Sequence, residues 1–254
     1  MNAKNLLTVA DILQRKHFEN AEIIAGKQGA HRYVKWVHVM EVTEVGALLN
    51  GSELILSTGI AWRNNAEVFL SFLNQLIERN VSGLCIELGT YLDSIPPKIV
   101  EVAEQHCFPL IVFHTEVRFI EITQDLHSFI ISQHYELISH LETYSQKLNQ
   151  LLLAADGHDK ILQYCQKTIK RTLIYKTSDL DIQSFPNSQQ EKVMKEIAPS
   201  PFLVRKEIKA LDHIFAELLV KTQSLDEINY ISLVLDRTAT ALAQYYLREL
   251  YIEE

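Results

Sequence analysis

The stretch GSELILSTG, residues 51–59, sets a short apolar run between a turn and an abrupt polar stop. Gly51 and Ser52 read as the turn, and Leu54, Ile55 and Leu56 as a strand with little room for water. Burial of consecutive residues on both faces is the habit of parallel sheets, where crossover helices cover each side. Why such a strand should end in two hydroxyls and a glycine is the question from which the rest of the chain is read.

Three further apolar runs flank this one, at residues 34–40, 84–86 and 110–113. Helical patterns separate the later strands. Residues 65–79 carry Val68, Phe69, Phe72, Leu73, Leu76 and Ile77 at spacings of three and four, and residues 96–105 open on Pro96 with Ile99, Val100 and Ala103 on one side. Thr8 is placed to cap a helix bearing Val9, Ile12 and Leu13, with Asp11 three residues after the cap. Strands alternating with helices predict an α/β domain over residues 1–120, built on a mainly parallel sheet with flanking helices.

Beyond residue 120 the punctuation changes, since seven of the eight glycines precede residue 90. Residues 121–155 read as one long connecting helix, with Ile122, Leu126, Ile130, Leu137, Leu141, Tyr144, Leu148 and Leu151 at steps of three or four. Such a helix either packs along its own chain or also pairs with a second copy, burying Leu126, Ile130, Leu137 and Leu141 between chains. Residues 156–254 predict a smaller α+β domain: a helix at 158–170, a strand at 172–176, a helix at 189–197, strands at 202–204 and 214–220, and a terminal helix at 225–250.

Composition narrows the function classes. A net charge of −8 and a pI of about 5.7 oppose a polyphosphate partner. Cys85, Cys107 and Cys165 are odd in number and widely spaced, which suits buried free thiols in a reducing compartment. The N-terminal residues lack the features of a signal peptide, and no apolar run is long enough to span a membrane, so a cytoplasmic protein is expected.

Motifs for phosphate loops, dinucleotide folds, nucleophile elbows and zinc proteases are absent, and no cofactor or metal site is expected. What recurs is a polar strand end: Glu41 after the first run, Ser57, Thr58 and Gly59 after the second, Glu87 after the third, and Thr115 and Glu116 after the fourth, with Arg118 just beyond. The carboxyl ends of parallel strands share one edge, where a small polar ligand would meet carboxylates, hydroxyls and backbone amides. The plainer alternative is that every strand end meets water and that the hydroxyls cap helices. A third reading makes Glu41, Glu87 and Glu116 the acid-base groups of an enzyme.

Five segments taken together carry a resemblance. RYVKWVHVME (32–41), GSELILSTG (51–59), VSGLCIE (81–87), Ile95-Pro96 followed by AEQHCFPL (103–110), and EVRFIEI (116–122) occur in the order of the N-terminal sensory domain of purine catabolism regulator (PucR-type) transcription factors. The later residues resemble that family's GAF-like middle domain. The resemblance implies a metabolite-switched bacterial regulator of catabolic or amino-acid genes, expected to act as a homodimer, with activation and repression both open. Its DNA contacts would come from a C-terminal helix-turn-helix that residues 1–254 do not include. A scaffold that dimerises and binds nothing in its first domain is the further alternative.

Overall fold

The computed structural model describes residues 7–154, 156–179, 181–187, 200–211, 213–223 and 225–252. They form two compact units, one running up to His134 and the other starting at Tyr135.

In the first unit, Thr8 and Asp11 make the reciprocal capping box expected for α1 (Val9–Leu13). The sheet contains β1 (Ala21–Ala25), β2 (Trp36–Val39), β3 (Glu53–Ser57), β4 (Gly83–Glu87) and β5 (Leu110–Phe113), in the spatial order β1-β5-β4-β3-β2. Strands β2 to β5 pair in parallel, and β1 adds to β5 as an antiparallel edge. Every residue of β3, β4 and β5 is buried, as the unbroken apolar runs demand.

Alternation along these strands sorts their side chains into two cores. Ile55, Leu84 and Ile86 pack with Phe69, Phe72, Leu73 and Leu76 of α2 (Ala66–Glu78) and with Ile99 and Ala103 of α3 (Pro97–Gln105). Leu54, Leu56, Cys85, Ile111 and Phe113 pack on the other face with Val9 and Ile12 of α1 and with Ile122, Leu126 and Ile130 of α4 (Phe119–Leu152). Helices α2 and α3 therefore lie on one face and α4 on the other. The connection leaving β4 and the connection leaving β5 part to opposite sides of the sheet.

The second unit has β6 (Leu173–Thr177), β7 (Ile182–Phe185), β8 (Leu203–Ala210) and β9 (His213–Lys221) in the order β7-β6-β9-β8, all antiparallel. One face packs Leu173, Tyr175, Leu218 and Val220 against α5 (Gly157–Ile169), α6 (Leu225–Ile252) and the later turns of α4. Arg248 of α6 donates from Nη1 to the carbonyl of Leu152 at 2.7 Å, placing a cation at the end of α4 where backbone carbonyls lack helical partners.

Several expectations need correction. The stripe on α4 is used within the chain: Leu126, Ile130 and Leu141 are only 0%, 5% and 3% exposed, the first two in the core of the first unit and the third in that of the second. The large apolar side chains of α4 left exposed are Ile120, Ile131, Tyr135 and Ile138, at 70%, 54%, 74% and 62%. Cys107 is exposed rather than buried, because it occupies a left-handed turn (φ 47°) after α3, whereas Cys85 and Cys165 are core residues. Strands β1 and β7 escaped the reading. The helix expected at 189–197 lies outside the described residues.

Candidate functional site

The carboxyl edge of the first sheet holds two hydrogen-bonded networks rather than one. The first answers the question posed by GSELILSTG. Ser57 is fully buried on the α2/α3 face, where its hydroxyl donates to Glu41 Oε2 (2.9 Å) and accepts the Gly59 N–H (3.1 Å). The Thr58 N–H donates to Glu41 Oε1 at 2.6 Å. One carboxylate and one hydroxyl thus satisfy the backbone as it turns out of β3, a necessity for polar groups at this depth. Gly59 is required because its backbone is left-handed (φ 77°) and because an added Cβ would lie 3.3 Å from Cβ of Leu92. The close approach is to the β4–α3 connection, not to an open cleft.

Glu87 builds the second network. It ends β4, the central strand, on the same face as Cys85, and is 4% exposed. The Thr90 hydroxyl donates to Glu87 Oε1 (2.8 Å), and the Val117 N–H donates to Oε2 (3.2 Å). Thr90 belongs to the β4–α3 connection and Val117 to the β5–α4 connection. The carboxylate therefore spans the point where these two connections diverge. In open α/β sheets that divergence opens the crevice in which ligands bind.

Thr115, Glu116 and Arg118 are exposed in the β5–α4 connection beside Val117. Arg118 donates from Nη1 to Glu121 Oε1 at 2.6 Å in the first turn of α4. The structure thus joins Glu41, Ser57, Thr58 and Gly59 in one knot and holds Glu87 in another. The three carboxylates proposed for acid-base work are dispersed: Glu41 is bound to Ser57, Glu87 is on the opposite face of the sheet, and Glu116 is at the surface. Burial pushes the Cys85 thiol well up from its ordinary range, as suits a core residue rather than a nucleophile.

Sequence reasoning missed Thr90 and the Val117 amide. A hydroxyl three residues after a strand-end carboxylate, across Gly89, is a usable signal for the first, because that spacing lets the side chain fold back. A backbone N–H carries no side-chain signature at all. A separate hollow of about 140 Å³ lies between α4 and α6 in the second unit, lined by polar residues including Ser145, Asn149, Asp236 and Arg237, and it includes none of the expected site residues.

Comparison with known proteins bears on this geometry. Residues 11–130 match the family described as "Purine catabolism regulatory protein-like family". The chain is 26% identical over 157 residues to the "Purine catabolism regulatory protein" of Bacillus subtilis (strain 168), covering 62% of this chain and 30% of that protein. It is 25% identical over 153 residues to the "Transcriptional activator PmfR" of Paenarthrobacter nicotinovorans, covering 55% of this chain and 32% of that protein. The matches thus span about a third of the length of these relatives. The names are those of regulators, not enzymes.

Proposed function

Given that residues 11–130 form a domain of the purine catabolism regulatory protein-like family, we propose that this chain is the effector-sensing portion of a cytoplasmic transcriptional activator of purine or related nitrogen catabolism. The observation that carries the reading is Glu87: a buried carboxylate spanning the diverging connections of the central strands, beside the exposed polar groups of Thr115, Glu116 and Arg118. A small polar metabolite bearing both hydrogen-bond donors and acceptors suits that set, since Glu116 accepts, Arg118 donates and the threonine hydroxyls do either. The Glu41–Ser57–Thr58–Gly59 knot supports the wall of the site from the neighbouring strand.

In this reading the protein works as a homodimer whose chains meet through Ile131, Tyr135 and Ile138 of α4, since the original stripe is spent within the chain. In the same reading DNA contact falls to a separate helix-turn-helix module, which the net charge of −8 supports. No described helix is long and apolar enough to cross a membrane.

A thermal-shift screen of purine-degradation intermediates and amino acids tests the proposal. A true effector at one hundred times its Kd adds about 2.7 kcal/mol of stability, which moves the midpoint by several degrees. An absence of stabilisation by every compound at millimolar concentration would overturn it.

A further inference from the structure

Glu87 lies in the interior of the first unit, yet both of its partners belong to connecting segments rather than to the sheet or to a helix. Its carboxylate forms no ion pair among the described residues, and its two oxygens are committed to different segments. On one side is Thr90, exposed, in the connection that leaves β4 through Leu88 and Gly89. Gly89 has φ 102°, a conformation that favours glycine, and nothing within 4 Å of where a Cβ would stand. The Gly89 N–H donates to the Leu92 carbonyl at 2.9 Å, and the Leu92 side chain rests on Gly59. On the other side is Val117, two residues before α4 begins.

Helix α4 is held to the sheet by more than its apolar face. His127 Nε2 lies 2.9 Å from the Val37 carbonyl, on edge strand β2, and its ring stacks on Trp36 at 4.2 Å. Asp125 pairs with Arg15, in the segment just after α1. These contacts fix the body of the helix, whereas its entrance is tied to the sheet through Val117 and Glu87.

We propose that Glu87 is the joint that couples the β4–α3 connection to the entrance of α4, so that an effector engaging Thr90 is read out as a change at Val117. This rests on the strand-end reading above. The physical warrant is that the two hydrogen bonds share one carboxylate. A ligand that takes the Thr90 hydroxyl frees Oε1 and lets the carboxylate pivot. The Val117 N–H then loses the orientation of its acceptor. Loss of a carboxylate acceptor at this part-buried N–H costs free energy, so the backbone at the start of α4 adjusts. Coupling of this kind is reciprocal: a change imposed on α4 alters how Thr90 is held.

The test uses the full chain and needs no ligand. Amide hydrogen exchange is measured by NMR at Val117 and, as a reference in the other network, at Gly59. The variants are Thr90→Val, which removes the hydroxyl from an exposed position, and Thr90→Ser, which restores it. The expected result is Val117 exchange at least about twofold faster in Thr90→Val, the lower end of coupling within a shared network. Exchange should return to the wild-type rate in Thr90→Ser, with Gly59 unchanged throughout. Unaltered Val117 exchange in Thr90→Val overturns the joint, and so does equal acceleration of Val117 and Gly59, which marks a general loosening. An empty ligand screen beside a positive exchange result would sink effector sensing while the joint stands. A bound metabolite beside unaltered exchange would do the reverse.

Discussion

Arg15 grips Asp125 with two parallel hydrogen bonds, Nε to Oδ2 and Nη2 to Oδ1, both 2.7 Å long. The guanidinium also sits 4.7 Å from the centre of the Phe129 ring, so the segment just after α1 is fastened to α4 by charge, planarity and a ring face together. Hydrogen bonding to Arg15 holds the Asp125 carboxyl below the usual carboxylate range. A carboxylate whose folded pKa is depressed contributes its stability above the unfolded pKa of about 3.9, and loses it as the pH falls through the folded value. Asp125→Asn should therefore lower stability by about 1 kcal/mol at neutral pH, given partial solvent screening. In urea titrations the gap between wild type and variant should close as the pH drops below about 4. A gap that persists at low pH would assign the effect to packing.

Gly59→Ala tests the turn that ends β3. The substitution meets a left-handed backbone and the Leu92 side chain together, and we expect a loss of about 1–2 kcal/mol. Urea denaturation reads this directly. A neutral substitution would mean that the turn relaxes and that Leu92 moves without penalty.

GSELILSTG shows what was legible in the sequence. The continuous apolar run of Leu54, Ile55 and Leu56 made β3 readable as a doubly covered strand, and the same argument located β4 and β5. Alternation and turn chemistry gave less for β1, where Glu22 is exposed and Ala21, Ile23 and Ile24 are half-buried, as befits an edge. Only Ser184 of β7 is buried, so no apolar run announced that strand. The polar strand ends were legible as a class, and Glu41, Ser57, Thr58 and Gly59 do converge. Their separation from Glu87 was not, because the face on which each side chain falls depends on strand order and on where the connections leave the sheet. The long helix was legible in extent, but not in what its stripe packs against, because periodicity specifies a face and not the surface that covers it.

In the second unit, Tyr144 and Thr238 form a buried pair, with their hydroxyl oxygens 2.7 Å apart. Thr238 donates onward to the Val234 carbonyl at 2.8 Å, so the tyrosine hydroxyl is the donor between them. Removing an acceptor from a buried donor is worse than removing both. Thr238→Val should cost about 1–3 kcal/mol and Tyr144→Phe about 1 kcal/mol, with the double variant less damaged than the sum. Thermal unfolding of the four proteins closes the cycle. Strict additivity would show that the Tyr144 hydroxyl relies on another partner.

Mapping a stabilising metabolite onto the chain by backbone amide chemical shifts would locate the effector site without assumption. We expect the largest shifts at Leu88, Gly89 and Thr90 and at Thr115, Glu116 and Val117, the two connections that part around Glu87. Shifts confined to Ser145, Asn149, Asp236 and Arg237, in the hollow between α4 and α6, would contradict the assignment of sensing to the first sheet.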